Sequence, residues 1–349
     1  MSTTLRTIVT ALPALCILGC VTNSTTSSPA ARSYAKFDRM PPPMIEKFDA
    51  ALTAMSENEG SEHIGAADLF WSNRAIVTVA FNGGSDELYE LIELTAKEWT
   101  RDAAFFDFDF HTSDGKFRKW SITDATPAAD IRISFRSGQE WGGYWSYLGT
   151  MSRYFPANEP TMNFEGFVTE LMKFHGKYDT PEWRLTYAHS TILHEFGHAL
   201  GLAHEHFHPQ CQSDMKFEAD DGYAPTFDHY KTYAPDKKGR SPGVNLYFAG
   251  PPNNWDPKTI AFNLDSKTFF ERSEALLASV TGRDEEFSTL ATRSVDQASV
   301  MLYGLPGFLL KGGVNSPCNY VAQTGEPAGL DYATALSDRD RKFFGLVYE

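Results

Sequence analysis

His194-Glu195-Phe196-Gly197-His198-Ala199-Leu200-Gly201-Leu202-Ala203-His204 is the stretch from which the rest of the chain is read. On a helix, His194 and His198 are four residues apart, so their imidazoles project from one face and can grip a single ion. Glu195 follows the first histidine directly, which sets its carboxylate beside such an ion rather than on it, where it can accept a proton from coordinated water. Gly201 lets the chain leave the helix in a backbone conformation that a β-carbon resists. His204 then comes round as a third nitrogen ligand. Three neutral imidazoles leave one coordination position open, which is the pattern of one catalytic zinc rather than of a closed structural site.

HExxH alone is short enough to arise by chance. The extended HExxHxxGxxH needs five positions to agree at fixed spacing, and it is the metzincin signature when a methionine turn follows. Ser299-Val300-Met301-Leu302-Tyr303-Gly304 supplies such a turn, with Met301 at its centre. A methionine in an apolar run is usually core filler; beside the histidine string it gains meaning. On these residues the chain resembles the metzincin metallopeptidases, and the astacin-like group most closely. His204-Glu205-His206 is similar to the astacin form of the motif, and Ser299-Val300-Met301-Leu302-Tyr303 to the astacin Ser-x-Met-His-Tyr turn, with Leu302 in the histidine's place. Phe207-His208-Pro209 replaces the arginine- and aspartate-rich string typical of that group, and the interval from His204 to Met301 is longer.

The resemblance implies a zinc endopeptidase with His194, His198 and His204 as metal ligands and Glu195 as general base. Tyr303 would be an extra zinc ligand that swings away during catalysis. The implied fold is α+β in two subdomains: a twisted mixed sheet with the active-site helix above it, and an irregular helical lower subdomain. In that family a strand about thirty residues before the motif, here Thr161-Met162-Asn163-Phe164, edges the cleft, and an extended peptide or protein substrate pairs with it. Two other readings stay open. One is a zinc-containing envelope lipoprotein with a binding or structural role and no turnover; the presence of Glu195 speaks against it, because a purely structural site needs no acid there. The other is a zinc amidase on non-peptide or cell-wall substrates, which the metal chemistry alone does not exclude.

Composition narrows the classes further. A chain of 349 residues, 42% of them hydrophobic, can bury one large core or two small ones. Its formal charge of −14 would repel phosphate backbones, so no nucleic-acid partner is expected. Near the start, the apolar run Thr7 to Gly19 is too short to span a bilayer comfortably as a mature helix. It ends in Ile17-Leu18-Gly19-Cys20, which resembles a bacterial lipobox. Residues 1–19 therefore read as a lipoprotein signal peptide, with Cys20 lipidated and anchoring the protein to the bacterial envelope, at the outer membrane. An ordinary secretory signal, giving a periplasmic or secreted protein, is the alternative. Residues 20–65 read as a tether with a candidate short pro-segment: Val21 to Ser33 is too poor in large apolar side chains to fold. Pro41-Pro42-Pro43 adds a stiff piece, and Met44 to Met55 predicts a short amphipathic helix without a cysteine to cap the zinc.

The metallopeptidase domain is placed at 66–349. A β-branched run over 75–81 ends at Asn82-Gly83-Gly84, and Ser85-Asp86 caps a helix with Leu88, Leu91, Ile92 and Ala96 at helical spacing. Asp130 to Phe135 alternates as a strand, and Trp141 to Tyr154 reads as strand plus loop. Thr180, followed by Pro181, predicts the start of a helix running to Leu200. Residues 209–296 read as an insertion or elaborated lower subdomain, turn-rich around Ala249 to Asn254, with a helix over Phe269 to Val280. Ser337 with Asp340 predicts a capping box at the start of a terminal helix. Of the four cysteines, Cys16 and Cys20 belong to the signal and its end. Cys211 and Cys318 either pair, as an oxidising compartment permits, or remain two thiols. His206 and His208 are within reach of the site, but a fourth nitrogen would close it, so neither is read as a ligand. His111, His175, His189 and His229 read as surface or core groups.

Overall fold

Strand-forming runs punctuated by glycine turns build the sheet on which the site rests. The computed structural model describes residues 39–42, 45, 46, 69–72, 74–138, 141–281, 294–322, 330 and 332–348, all within the unit Tyr34–Glu349. The signal peptide, Cys20, the first part of the tether and most of the helix expected over Met44 to Met55 lie outside the described residues. Among the described residues, no helix is long and apolar enough to cross a membrane.

Strand β1 (Ile76–Asn82) buries Val77, Val79 and Phe81 on alternate positions, as the pleat requires. Gly83 and Gly84, with φ of 83° and 86°, turn the chain into α1 (Asp86–Ala96), which buries Leu88, Leu91 and Ile92. β2 (Asp107–Asp109), β3 (Ile131–Ser134), β4 (Tyr144–Ser146) and β5 (Met162–Phe164) complete a mixed five-stranded sheet in the order β2-β1-β3-β5-β4. All pairings are parallel except β4 with β5. The fold is thus mixed α/β, with helices packed on a mixed sheet.

The position of β5 corrects one expectation. Thr161 to Phe164 does not edge the cleft: β5 lies between β3 and β4, and β4 is the edge strand. Every residue of β5 is buried, and Asn163 at its centre is fully satisfied by protein. Its carboxamide oxygen accepts from Ser134 Oγ and the Arg136 amide, both at 2.7 Å, and its Nδ2 donates to the Gly143 and Arg136 carbonyls. A three-residue run buried on both faces shows no period to mark which strand is interior. At the edge, the Tyr144 carbonyl accepts the Arg39 amide at 2.9 Å, and the Met40 amide reaches Asn263 Oδ1 at 3.1 Å. Met40 and Ile45 are buried in a core with Trp145, Phe207, Phe262 and Phe269. This N-terminal strap therefore spans from the sheet edge to the lower helices.

The helix expected from Thr180 to Leu200 is two helices. A single turn, Pro181–Arg184, is followed by α2 (Tyr187–Ala199). Thr186 is the cause. Its backbone is extended, with ψ at 148°, and its hydroxyl accepts the His189 amide at 3.1 Å, so it begins a new helix rather than continuing the old one.

The lower region is more helical than its turn-rich sequence suggests. It contains α3 (Pro209–Asp214), a small hairpin of β6 (Thr226–Phe227) and β7 (Tyr233–Ala234), α4 (Gly243–Ala249), α5 (Pro257–Leu264) and α6 (Ser266–Thr281). α5 is only eight residues long, too short for a clear apolar period; its marker is Asp256, whose side chain accepts the amides of Lys258 and Thr259 ahead of a proline at the first turn. α7 (Asp338–Tyr348) closes the described chain. Ser337 and Asp340 open it as a reciprocal capping box, with the Ser337 amide 2.9 Å from Asp340 Oδ2 and the Asp340 amide 2.9 Å from Ser337 Oγ.

Cys211 on α3 and Cys318 are bonded, with S–S at 2.06 Å. They sit in the lower core with Met215, Val244, Phe248, Trp255, Leu302 and Tyr303. The bridge spans 107 residues of sequence, so it removes much chain entropy from the unfolded state. Replacing both cysteines by alanine is expected to lower the unfolding free energy by about 2–5 kcal/mol. Denaturant melts of parent and variant measure the difference, and coincident midpoints would exclude the constraint.

Candidate metal centre

The histidine string is shaped by a helix, its exit and a distant turn. α2 ends at Leu200, and Gly201 follows with φ of 95°; a β-carbon there would come within 2.7 Å of the Phe70 ring. The Leu202 amide donates to the Gly197 carbonyl at 3.0 Å and the Gly201 amide to the His198 carbonyl at 2.7 Å, the paired bonds of a Schellman exit. That exit also brings the Leu202 carbonyl to 2.7 Å from His198 Nδ1. His194 Nδ1 lies 2.6 Å from the Val300 carbonyl, in the methionine turn.

A carbonyl only accepts, so both imidazoles carry their proton on Nδ1 and present Nε2 as a lone pair. His198 Nε2 and His204 Nε2 are 3.1 Å apart, and one ligand atom from each of His194, His198 and His204 lies within 4.8 Å of the others. Zinc–nitrogen bonds of about 2.0–2.1 Å at a tetrahedral angle place ligand nitrogens roughly 3.3 Å apart. The donor set therefore fits zinc in atom type, in the tautomer of His194 and His198, and in the spacing of the His198–His204 pair. Among the described residues no other group of three or more His, Cys, Asp or Glu side chains is placed to hold a metal ion.

Glu195 is fully buried on α2. Met301 packs under the helix: a β-carbon on Gly197 would meet its sulfur at 2.4 Å and the Trp99 ring at 3.1 Å. The Glu205 amide donates to the Met301 carbonyl at 2.9 Å, so the turn holds the motif at its end as well as at His194. Tyr303 is 5% exposed, its ring 4.5 Å from that of His204 and 6.2 Å from that of His194, centre to centre. The turn and the histidines thus come together although sequence separates them. His206 turns its Nε2 to the Asn263 carbonyl at 3.0 Å, and His208 Nδ1 accepts the Gln210 amide at the start of α3.

Two supports of the site were not legible as such. His189, at the first turn of α2, is buried with its Nε2 2.9 Å from Glu98 Oε1. Burial opposes ionisation of Glu98, yet the hydrogen bond and charge of His189, with Arg184 and Arg101 beyond, hold its carboxyl below the usual value. Asp340, read from sequence only as a helix start, also holds the methionine turn. Its carboxylate accepts from Ser299 Oγ at 2.7 Å and from the Val300 amide at 3.2 Å, while Ser299 Oγ accepts the Met301 amide at 3.0 Å. Burial pushes the Asp340 carboxyl up to about 6, against the hydrogen bonds from Ser299, Ser337 and Val300, with the Asp296 charge adding to the rise. Glu205 is raised to about 7 by burial, opposed by the Asp296 amide it accepts at 2.6 Å and assisted by the Asp340 and Asp296 charges.

Fold and site together define a mixed α/β protein with a candidate three-histidine metal site, two of its histidines on the central helix and the third just past the helix exit, and with the Met301 turn packed against it. Among solved structures the chain is similar to myroilysin, with 24% identity over 82% of this chain and 98% of that one and a TM-score of 0.49. A second structure of myroilysin gives 25% identity, coverages of 81% and 87%, and a TM-score of 0.42. A third is high choriolytic enzyme 1, a hatching enzyme zinc-protease from the medaka fish Oryzias latipes, at 13% identity, coverages of 83% and 98%, and a TM-score of 0.37. No protein-family model matches the chain, and no curated protein does.

A carboxyl whose pKa is raised on folding binds more protons in the folded chain than in the unfolded one between the two values. Asp340 therefore contributes a loss of stability that sets in as pH rises from about 4 to about 6 and is absent below it. Asp340→Asn keeps an oxygen for the two amides and is expected to flatten that part of the stability–pH curve. Melting temperatures of both proteins between pH 4 and 7 check this, and parallel curves would contradict it.

Proposed function

We propose that the protein is a zinc-dependent endopeptidase that hydrolyses peptide bonds with water. The observation that carries the reading is the convergence of His194, His198 and His204, with one nitrogen of each within 4.8 Å of the others, and Glu195 buried in the same helical turn as His194. His194, His198 and His204 would hold the zinc. When bound, the ion supplies a Lewis acid for the scissile carbonyl and brings the pKa of a water near neutrality.

The remaining chemistry belongs to the chain. Glu195 takes a proton from the attacking water and later passes it to the leaving amine. Its burial shields the carboxylate from bulk solvent, so the proton it takes is kept for the amine. The Tyr303 phenol, whose ring lies beside that of His204, would serve as a further ligand to the resting ion and supply a donor for the oxyanion during turnover. β4, as the edge strand, is the place where an extended peptide adds main-chain hydrogen bonds. The Tyr144 carbonyl on that edge already accepts the Arg39 amide, so a peptide using it takes the place of the strap.

Digestion of a peptide library by the purified protein, with and without chelator, tests the activity. Glu195→Ala is expected to keep its zinc, because the three histidines are untouched, and to lose turnover by about 10²–10⁴-fold or more. Cleavage by this variant at the parent's rate would remove Glu195 from the mechanism; chelator-insensitive cleavage by the parent would remove zinc.

We further propose that Cys20 carries lipid and holds the enzyme at the bacterial envelope. The motivating residues are the apolar run ending in Gly19-Cys20 and the tether-like composition that follows. Cys20→Ser is expected to leave an unprocessed precursor or release the protein into the soluble fraction. A native mature N-terminus found as a free amine at another residue would sink the lipoprotein assignment.

A further inference from the structure

His206 is completely buried beside the histidine ligands, and none of the chemistry above uses it. Its Nε2 is 3.0 Å from the Asn263 main-chain carbonyl, near the end of α5, so this nitrogen carries a proton and the ring is fixed from the lower subdomain. Its faces meet the site. The His206 ring lies 4.8 Å from that of His204, nearly parallel at 22°, and 4.3 Å from that of Tyr303, at 36°. His204 and Tyr303 are themselves 4.5 Å apart. The three rings form a closed triangle, and His206 is the member tied to α5.

The tie is itself well built. Asn263 donates from Nδ2 to the Thr259 carbonyl at 2.8 Å and accepts the Met40 amide on Oδ1 at 3.1 Å. Gln212 on α3 bridges the His206 carbonyl at 2.9 Å and the Leu264 carbonyl at 3.0 Å, and accepts the Ser266 amide at 3.1 Å. Four of these contacts come from the long segment after the histidine string. They fix the main chain at His206 and the helix that presents the Asn263 carbonyl.

We propose that His206 is the positioning residue for Tyr303 and His204, and that the segment of α3, α5 and α6 acts on the metal centre by holding this ring through the Asn263 carbonyl. The inference rests on the zinc peptidase reading above. A phenol that must offer its hydroxyl to the site from one direction needs a wall on its other face, and a ligand imidazole needs its plane set before the ion arrives. The His206 ring packs against both the Tyr303 and the His204 rings, and its hydrogen bond to a helix carbonyl keeps it in place.

Two substitutions separate the two contacts: His206→Gln keeps a donor for Asn263 and removes the ring, while His206→Phe keeps the ring and removes the donor. Each is combined with Tyr303→Phe in the full chain. Zinc affinity is read by chelator competition, the ligand field by visible absorption of the cobalt(II)-loaded protein, and turnover on a peptide the parent cleaves. His206→Gln is expected to weaken zinc binding and to lower kcat, each about 10–100-fold, with KM nearly unchanged. In the Tyr303→Phe background the same substitution is expected to cost little further in kcat, because the hydroxyl it positions is gone. The cobalt bands should shift in both single variants. Should His206→Gln fail to fold, His206→Phe, which fills the same space, carries the test. Unchanged cobalt bands and zinc affinity in the folded variants, with kcat losses that simply add to that of Tyr303→Phe, would overturn the proposal and leave His206 as core packing. A parent that binds zinc but cleaves no peptide would sink the peptidase reading instead, with the affinity and cobalt measurements still deciding the role of His206.

Discussion

A single hydrogen bond, from His194 Nδ1 to the Val300 carbonyl at 2.6 Å, sets the terms for everything around the site. It fixes the tautomer of the first histidine and pins α2 to a turn that arrives much later in the chain. The same turn passes between two cores. Val300 and Met301 belong to the core under the sheet, with Phe196 and Trp99, whereas Leu302 and Tyr303 belong to the lower core, with the disulfide. Four consecutive residues therefore stitch the two halves together. Any shift of one half against the other is felt at His194 and at Glu205, whose amide is held by Met301.

Holding a helix this firmly requires partners for its exposed carbonyls as well as for its side chains. The Trp99 indole donates to the Leu193 carbonyl at 2.9 Å and the Trp71 indole to the Ala199 carbonyl at 2.7 Å, while the Tyr348 hydroxyl reaches the Leu200 carbonyl. Large aromatic side chains suit this work, because each combines an apolar body for the core with one donor at its rim. Three segments remote in sequence thus converge on the last turns of α2, and the Glu98–His189 pair secures the first turn.

The clustering of His194, His198 and His204, with Glu195 beside them and the Met301 turn beneath, was legible because their spacing encodes a shape: one helical turn, one glycine exit, one return. The capping box of Ser337 and Asp340 was legible for the same reason. What escaped the sequence are contacts to main-chain atoms, which no side-chain pattern records: Val300 and Leu202 as partners of imidazoles, Asn263 as partner of His206. The edge of the sheet was misplaced because the resemblance assigned it by position, and Met162-Asn163-Phe164 is too short to mark which strand lies outermost. Thr186 divided the expected helix because a threonine at a cap and one inside a helix look alike until the backbone declares which it is. α5 was missed, although Asp256-Pro257 carried a cap signal, because eight residues hold too little of an apolar stripe.

Asp340 gives the fold an order in time. Its carboxylate caps the terminal helix and simultaneously holds Ser299 and Val300, on whose carbonyl His194 depends. The three histidines emerge from the ribosome long before the group that secures the turn beneath them. A partly synthesised chain has the histidines, and even the helix that bears them, without the floor that orients the first imidazole. The arrangement of the three histidines is accordingly completed only once Asp340 has been made and has docked against the turn.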